Sequence, residues 1–315
     1  MPAELLHRRA DFPDLLRIVA SNRGVDVTLV EKDYWIMHCL WGLQQQDLRF
    51  ELKGGTSLSK GFGVIHRFSE DIDLRIEPPE DAKVFTGKNH TKEAHVESRK
   101  AFYDRLAETI IIDGLIAVER DHEFDNERYF SGGVRLLYPT VGAPIAGIKT
   151  GILLEVGFDD VTPNAPRTIS SWAYDFAVGQ GVEVIDNRAK DVACYSPGHT
   201  LVEKLQAIST KYRRRQETGD FPPNFMRHYY DVHSLLQLDE VQAFVGTKAY
   251  VAHKAKRFPR ADEPDLRVNP AFVLPDEAVR DELKAAYARS SALYYQGQPP
   301  FEEILATITQ WAPRL

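Results

Sequence analysis

The stretch that decides the reading is Leu52-Lys53-Gly54-Gly55-Thr56-Ser57-Leu58-Ser59-Lys60, followed by His66-Arg67-Phe68-Ser69-Glu70-Asp71-Ile72-Asp73-Leu74-Arg75-Ile76. Residues Ile72 to Ile76 alternate apolar and charged, the period of a half-buried strand. Side chains two apart on a strand share a face, so Asp71 and Asp73 project together while Ile72 and Leu74 turn the other way. Carboxylates held side by side repel unless a cation lies between them. Mg2+ suits the pair, with Mn2+ as the alternative, because it takes hard oxygen ligands and leaves room for substrate phosphates. A two-metal site of this kind often uses a third carboxylate. The candidate is Glu155, an acid inside the apolar run Ile152-Leu153-Leu154-Glu155-Val156. Its bland alternatives are a sheet-edge position or a pairing with Arg135.

Upstream, Gly54-Gly55-Thr56-Ser57 offers backbone N–H groups and two hydroxyls. Glycine lets a phosphate approach the backbone closely, and a helix starting there, over Thr56 to Phe62, presents free N–H groups to an anion. Alone this is a plain strand-to-helix turn after the strand Phe50–Lys53. The following Asp-Ile-Asp gives it weight. No G-x-x-x-x-G-K-[ST] run is present, so it is not a P-loop. Lys60 and Arg67 are further phosphate candidates, Arg67 alternatively bracing Asp71. Ser69 caps a turn or meets the nucleotide. His66 is more simply polar surface than a base.

Working outward, helices are predicted over 11–21, from an N-cap at Thr28 with Glu31 as its capping-box partner, and over 92–113. Further strands are expected near 128–138, 149–158 and 182–185. Residues 139–147 form a Gly/Pro-rich connection. At Ser196-Pro197 the character changes, serine before proline being a helix start. Leu201, Leu205, Ile208 and Tyr212 share one helix face. After Pro222-Pro223, helices are expected over 225–238, 241–254, 276–287 and 301–311. The fold class is therefore α+β: a mixed sheet flanked by helices (residues 1–195), then a mainly α-helical C-terminal lobe (196–315).

The chain has 315 residues, 43% hydrophobic and 27% charged, the composition of a soluble globular protein. Cys39 and Cys194 are its only cysteines, which excludes a disulfide framework. No secretory signal and no apolar run long enough to span a membrane is visible, so a cytoplasmic location is expected. The formal net charge of −7 excludes a global basic footprint for nucleic acid. Local basic runs remain at Lys211-Tyr212-Arg213-Arg214-Arg215 and Lys254-Ala255-Lys256-Arg257. Lys204 lies in the apolar run of its helix and can deliver a point charge to phosphates. Asp231 follows Arg227 by one helical turn, a spacing that alone reads as a surface ion pair.

Taken in order, Glu31-Lys32-Asp33-Tyr34, the Gly54–Lys60 and His66–Leu74 segments, Glu203-Lys204-Leu205-Gln206-Ala207 and Arg227-His228-Tyr229-Tyr230-Asp231-Val232 resemble the AbiEii toxin family. That family includes the MenT toxins and belongs to the DNA polymerase β-like nucleotidyltransferases. The resemblance implies a nucleotidyltransferase-fold lobe and a helical lobe completing the active site. It implies metal ligation by Asp71 and Asp73, phosphate contacts at Gly54, Gly55, Thr56 and Ser57, a triphosphate contact at Lys204, and Asp231 completing the catalytic set. It also implies a toxin of a two-gene toxin–antitoxin or phage-abortive system, with a cognate antitoxin encoded alongside. The expected reaction moves NMP from an NTP to an RNA acceptor, the tRNA 3′ end, and blocks translation. The alternatives are transfer to a protein or small-molecule hydroxyl, or a non-catalytic nucleotide- or antitoxin-binding module.

Overall fold

The computed structural model describes residues 3–143, 148–222 and 224–315, without the side chain of residue 216. Pro144 to Gly147 of the expected Gly/Pro-rich connection, and Pro223, lie outside the described residues. The chain divides into two compact units: residues up to Phe62 with Phe68–Tyr195, and Gly63–Arg67 with Ser196–Leu315.

The first unit is built on a seven-stranded mixed sheet. Its strands are β1 (Phe50–Lys53), β2 (Ile72–Ile76), β3 (Ala117–Asp121), β4 (Ser131–Leu137), β5 (Ile152–Gly157), β6 (Asn164–Ile169) and β7 (Ala189–Tyr195), in the spatial order β3-β4-β5-β2-β1-β7-β6. β2 runs antiparallel to β1 and parallel to β5, and β1 runs parallel to β7. The alternation in β2 does what its period requires. Ile72, Leu74 and Ile76 are buried, and the charged residues between them face the other way. On that face Arg75 bonds its cross-strand partner Glu51 at 3.0 Å.

Helices α1 (Phe12–Arg23), α2 (Val27–Gln44), α4 (Glu93–Thr109) and α5 (Trp172–Gly179) pack around the sheet, and a short helical turn α3 (Gly54–Thr56) continues into a π-helical turn over Ser57–Gly61. α2 is buried on nearly every side, including Cys39. Its N-cap is Asp26, whose carboxylate accepts from Thr28 N–H, and not Thr28 as the capping-box pattern predicts. Thr28 donates to the Ala143 carbonyl instead, and Glu31 accepts from Val141 and Gly142 N–H.

Two further expectations fail. Val182–Ile185 is not a strand: Val184 makes only an isolated bridge to Glu4, since no partner strand runs beside it. The helix start at Thr56 lies two residues late, because Gly54 and Gly55 already belong to the turn. β3, β6, β7 and α5 have no counterpart in the sequence reading. β3 and β6 are edge strands; β6 carries Pro166, which the edge position tolerates, and its mostly exposed residues do not alternate.

The second unit is helical: α6 (Pro197–Thr218), α7 (Arg227–Leu235), α8 (Asp239–Phe244), α9 (Lys248–Arg257), α10 (Pro270–Val273), α11 (Glu277–Arg289) and α12 (Phe301–Trp311). The single helix expected over 241–254 is two, broken where Gly246 takes a positive φ of 81°. Gly63–Arg67 belongs to this unit because Tyr230 OH accepts from His66 N–H at 3.0 Å and Tyr295 N–H bonds the His66 carbonyl at 3.1 Å. Among the described residues no helix is long and apolar enough to cross a membrane.

Candidate active site

In the first unit the sheet register collects the carboxylates. Asp73 lies opposite Lys53 on β1 and opposite Glu155 on β5. Directly paired strand residues share a face, so Asp73 and Glu155 stand side by side, and Asp71 joins them from just before β2. Arg135, considered as a partner for Glu155, is engaged elsewhere: it pairs with Asp121 and bonds the Thr150 carbonyl at 2.9 Å.

Asp71 is the electrostatically exceptional member. Its Oδ1 is sealed from water with no hydrogen-bond partner among the described residues. Burial first, then the neighbouring Glu70 and Asp73 charges, push its carboxyl up to about 6, against the pull of Lys32 and Lys149. A buried acceptor without a donor is costly, and one flanked by other acids is costlier. A divalent cation relieves both penalties, so the Asp71–Asp73 pair fits one. Among the described residues, however, no three His, Cys, Asp or Glu side chains form a ready-made metal cluster. Asp73 and Glu155 are paired across the sheet and Asp71 stands just before β2, without the three being gathered into one.

The glycine turn is shaped by the same carboxylates. Gly54 has a φ of 70°, and a Cβ there would overlap Asp73 Oδ2. Only glycine lets the backbone lie directly against that carboxylate. Thr56 and Ser57 are fully buried, and the Thr56 hydroxyl donates to the Asp71 carbonyl, tying the turn to the start of the Asp-x-Asp segment. Lys60, expected at the nucleotide, is paired with Asp33. Ser69 is half-buried in the connection leading to Asp71.

The sequence reading did not foresee that Glu31, Lys32 and Asp33 are all buried, 0%, 1% and 2% exposed. Each braces a different segment. Glu31 holds the 141–142 loop. Lys32 bonds Glu70 at 3.2 Å and the Lys149 carbonyl at 2.6 Å. Asp33 binds Lys60 and accepts from Trp172 N–H at 2.7 Å, at the start of α5. A signal was available: three consecutive residues cover most of a helical turn, so a charged triplet on a helix apolar all round cannot stay in water.

In the second unit a buried ion cluster stands on α6 and α7. Asp231 is 0% exposed and accepts two bonds of 2.7 Å from the Arg67 guanidinium and one of 2.9 Å from Lys204. Burial alone would raise its carboxyl; the two cations reverse this and hold it below the usual range. The surface pair with Arg227 that the spacing predicts is thus replaced by a buried one. Arg67, expected among the nucleotide-binding residues, commits its fork to Asp231. Much of the basic run on α6 is also engaged: Lys211 Nζ lies 2.8 Å from His228 Nε2, Arg213 bonds Asp262 at 2.6 Å and Arg215 bonds Glu282 at 2.6 Å. Arg214 stays exposed. In the second run Lys254 bonds the Leu315 carbonyl, and Arg257 lies 3.5 Å from Glu203.

A family model described as "Nucleotidyl transferase AbiEii toxin, Type IV TA system" matches residues 35–307. The chain belongs to the AbiEii family. It is accordingly a nucleotidyltransferase of a type IV toxin–antitoxin family, a membership that implies a nucleotide substrate and an antitoxin partner. No curated protein matches this AbiEii chain. Two solved structures resemble it at 14% identity. One is an antigenic nucleotidyltransferase-like protein from Paracoccidioides brasiliensis, with a TM-score of 0.32, covering 74% of this chain and 95% of that one. The other is the antibiotic-resistance factor ANT(2'')-Ia, with a TM-score of 0.33, covering 74% of this chain and 94% of that one.

Proposed function

We propose that this AbiEii nucleotidyltransferase transfers NMP from an NTP to the 3′ end of an RNA acceptor, tRNA in the first instance, and thereby blocks translation in the cytoplasm as a phage-defence toxin. The observation that carries the chemistry is the Asp71 carboxylate, whose Oδ1 has no donor among the described residues and which is crowded by Glu70 and Asp73. Asp71 and Asp73 would hold Mg2+ or Mn2+, with Glu155 alongside. When bound, the metal supplies charge neutralisation for the α-phosphate and for the leaving pyrophosphate.

This chain's own residues set the geometry. Gly54 and Gly55 permit close approach to phosphate oxygens, and Thr56 fixes the turn against Asp71. Lys60, Arg67 and Ser69 are the further nucleotide-binding candidates, Lys60 held by Asp33 and Arg67 by Asp231. Lys204 is the triphosphate contact and Asp231 holds its ammonium. The acceptor hydroxyl oxygen forms a bond to the α-phosphorus as the bond to the bridging oxygen breaks. Pyrophosphate leaves with the electron pair, and the hydroxyl proton passes to solvent. Positioning and electrostatics supply most of the acceleration in such transfers.

The test incubates the purified protein with Mg2+, each labelled NTP and total RNA. Label in tRNA that disappears in Asp73→Ala is the expected result, with a loss of about 1,000-fold or more, by analogy with losing one strong electrostatic stabiliser. A second acceptor class is favoured by one observation. Arg213, Arg215 and Arg257 of the two basic runs are ion-paired, which weakens the case for these runs as a polyanion surface. Label in protein but not in RNA would replace tRNA with a protein hydroxyl.

A further inference from the structure

Glu70 stands next to Asp71 in sequence, yet its carboxylate is committed elsewhere. Glu70 Oε2 accepts from Lys32 Nζ at 3.2 Å and from Lys149 N–H at 2.9 Å. The same ammonium donates to the Lys149 carbonyl at 2.6 Å, closing a small ring of bonds between α2, the approach to β2 and the approach to β5. The side chains of Lys32 and Glu70 are 1% and 11% exposed, so water screens their charges poorly. Lys32 acts on Asp71 in the sense opposite to Glu70 and Asp73. Removing a buried ion pair together is often harmless whereas leaving one member unpaired is not, so the two partners can be tested singly and together.

We propose that Lys32 is a positioning residue for the carboxylate site: by binding Glu70 it withdraws that acid from the cation-binding set, so that Asp71 and Asp73 receive the divalent cation in a field of fixed strength. The inference rests on the divalent-cation reading of Asp71 and Asp73. It differs from a plain structural strut in its signs. Glu70→Gln leaves a buried positive charge near the site and weakens cation binding. Lys32→Met leaves a buried negative charge and tightens it. The double variant removes both charges and returns binding toward that of the parent.

The experiment titrates the full chain with Mn2+ alone, without nucleotide, and follows free Mn2+ by its paramagnetic resonance signal. Each single substitution is expected to move the dissociation constant by about 3- to 10-fold in opposite directions, the size of a unit charge acting through a poorly screened medium. Thermal melts report folding separately. If Lys32→Met does not fold, Glu70→Gln and the double variant still decide, through weakening in the first and recovery in the second. Weakening in both single variants without recovery in the double, or no change in Glu70→Gln, overturns the proposal. Asp73→Asn separates the two levels. If the parent binds Mn2+ and Asp73→Asn does not, the cation reading stands whatever the Lys32 result. If the parent binds no Mn2+, the cation reading falls and takes this inference with it.

Discussion

Asp231, in the helical unit, meets two cations; Asp71, in the sheet unit, meets two further acids. Both are withdrawn from water, and the consequences run in opposite directions. Asp231 is satisfied by the Arg67 fork and Lys204, and its carboxyl is held low. Asp71 keeps an oxygen without a donor and its carboxyl is pushed up to about 6. A compensated acid fixes structure, because its partners are already in place. An uncompensated one stores a cost that an arriving cation removes. The comparison therefore separates a charge that is compensated within the fold from one that, on the proposed reading, receives a divalent cation.

The largest effect is expected where the compensated acid is removed. Asp231→Ala leaves Arg67 and Lys204 as buried cations without their counter-ion. Breaking one side of a buried ion cluster costs about 3–5 kcal/mol, so chemical denaturation should show a midpoint shifted well down. A loss below about 1 kcal/mol would mean that the cluster behaves like a surface pair and that the contrast with Asp71 is false. The pH dependence has a definite sign. A depressed carboxylate stabilises above its unfolded pKa, and that stability disappears as the pH falls through the folded value.

Asp71 should behave the other way. Its folded carboxyl titrates above the unfolded one, so the folded state holds the proton more tightly, and stability is lost as the pH rises from about 4 toward 6. Asp71→Asn removes that penalty. The variant is expected to be more stable than the parent by about 3 kcal/mol at most at pH 8 without metal, and to be inactive. Mg2+ should raise the melting temperature of the parent and not that of the variant. A variant less stable than the parent at pH 8 would show that Asp71 is satisfied after all.

How far each acid was legible in the sequence follows from the range of its partners. The strands beside Asp71 were legible because strand period is local: β1 and β2 run over the residues that were read as strands. The buried pairing of Asp231, which the resemblance placed in the catalytic set, could not be read from spacing, because its decisive partner, Arg67, is 164 positions away and helical spacing reports only neighbours one turn apart. The Lys32–Glu70 bond is out of reach of local spacing for the same reason, its acid lying 38 positions on. The Thr28 cap failed for a different reason: Asp26, two residues earlier, can equally start the helix, and the loop carbonyl of Ala143 took the threonine hydroxyl. The β6–β7 pair escaped because an exposed edge strand carrying a proline has no alternation to read. The ordered family motifs paired Lys204 with Asp231 where local periodicity could not, and the two side chains are in contact at 2.9 Å.

Gly54 offers a smaller test on the uncompensated side. Gly54→Ala sets a Cβ against Asp73 Oδ2 on a backbone with positive φ. The left-handed conformation alone costs about 1–2 kcal/mol. The carboxylate can retreat more easily than the backbone, so the main result should be a displaced Asp73: Mn2+ binding and transfer fall together while the fold survives. Lost stability with transfer and metal binding intact would assign Gly54 to the turn alone.

The smallest effect concerns the basic run of α6, where the same distinction between compensated and uncompensated charge applies. Arg213 and Arg215 face Asp262 and Glu282, so reversing either breaks an ion pair and confuses acceptor binding with stability. Arg214 is exposed, and its charge is the one in the run best placed to act on solvent-borne phosphates. If RNA is the acceptor, Arg214→Glu should raise the KM for RNA by about two- to threefold at low salt, an effect that fades as salt screens the phosphates, and leave the KM for NTP unchanged. Arg213→Glu should instead lower the melting temperature, because it turns the bond to buried Asp262 into a repulsion. An unchanged RNA KM in Arg214→Glu, with transfer otherwise intact, would remove this helix face from the acceptor path and strengthen the case for an acceptor that is not a polyanion.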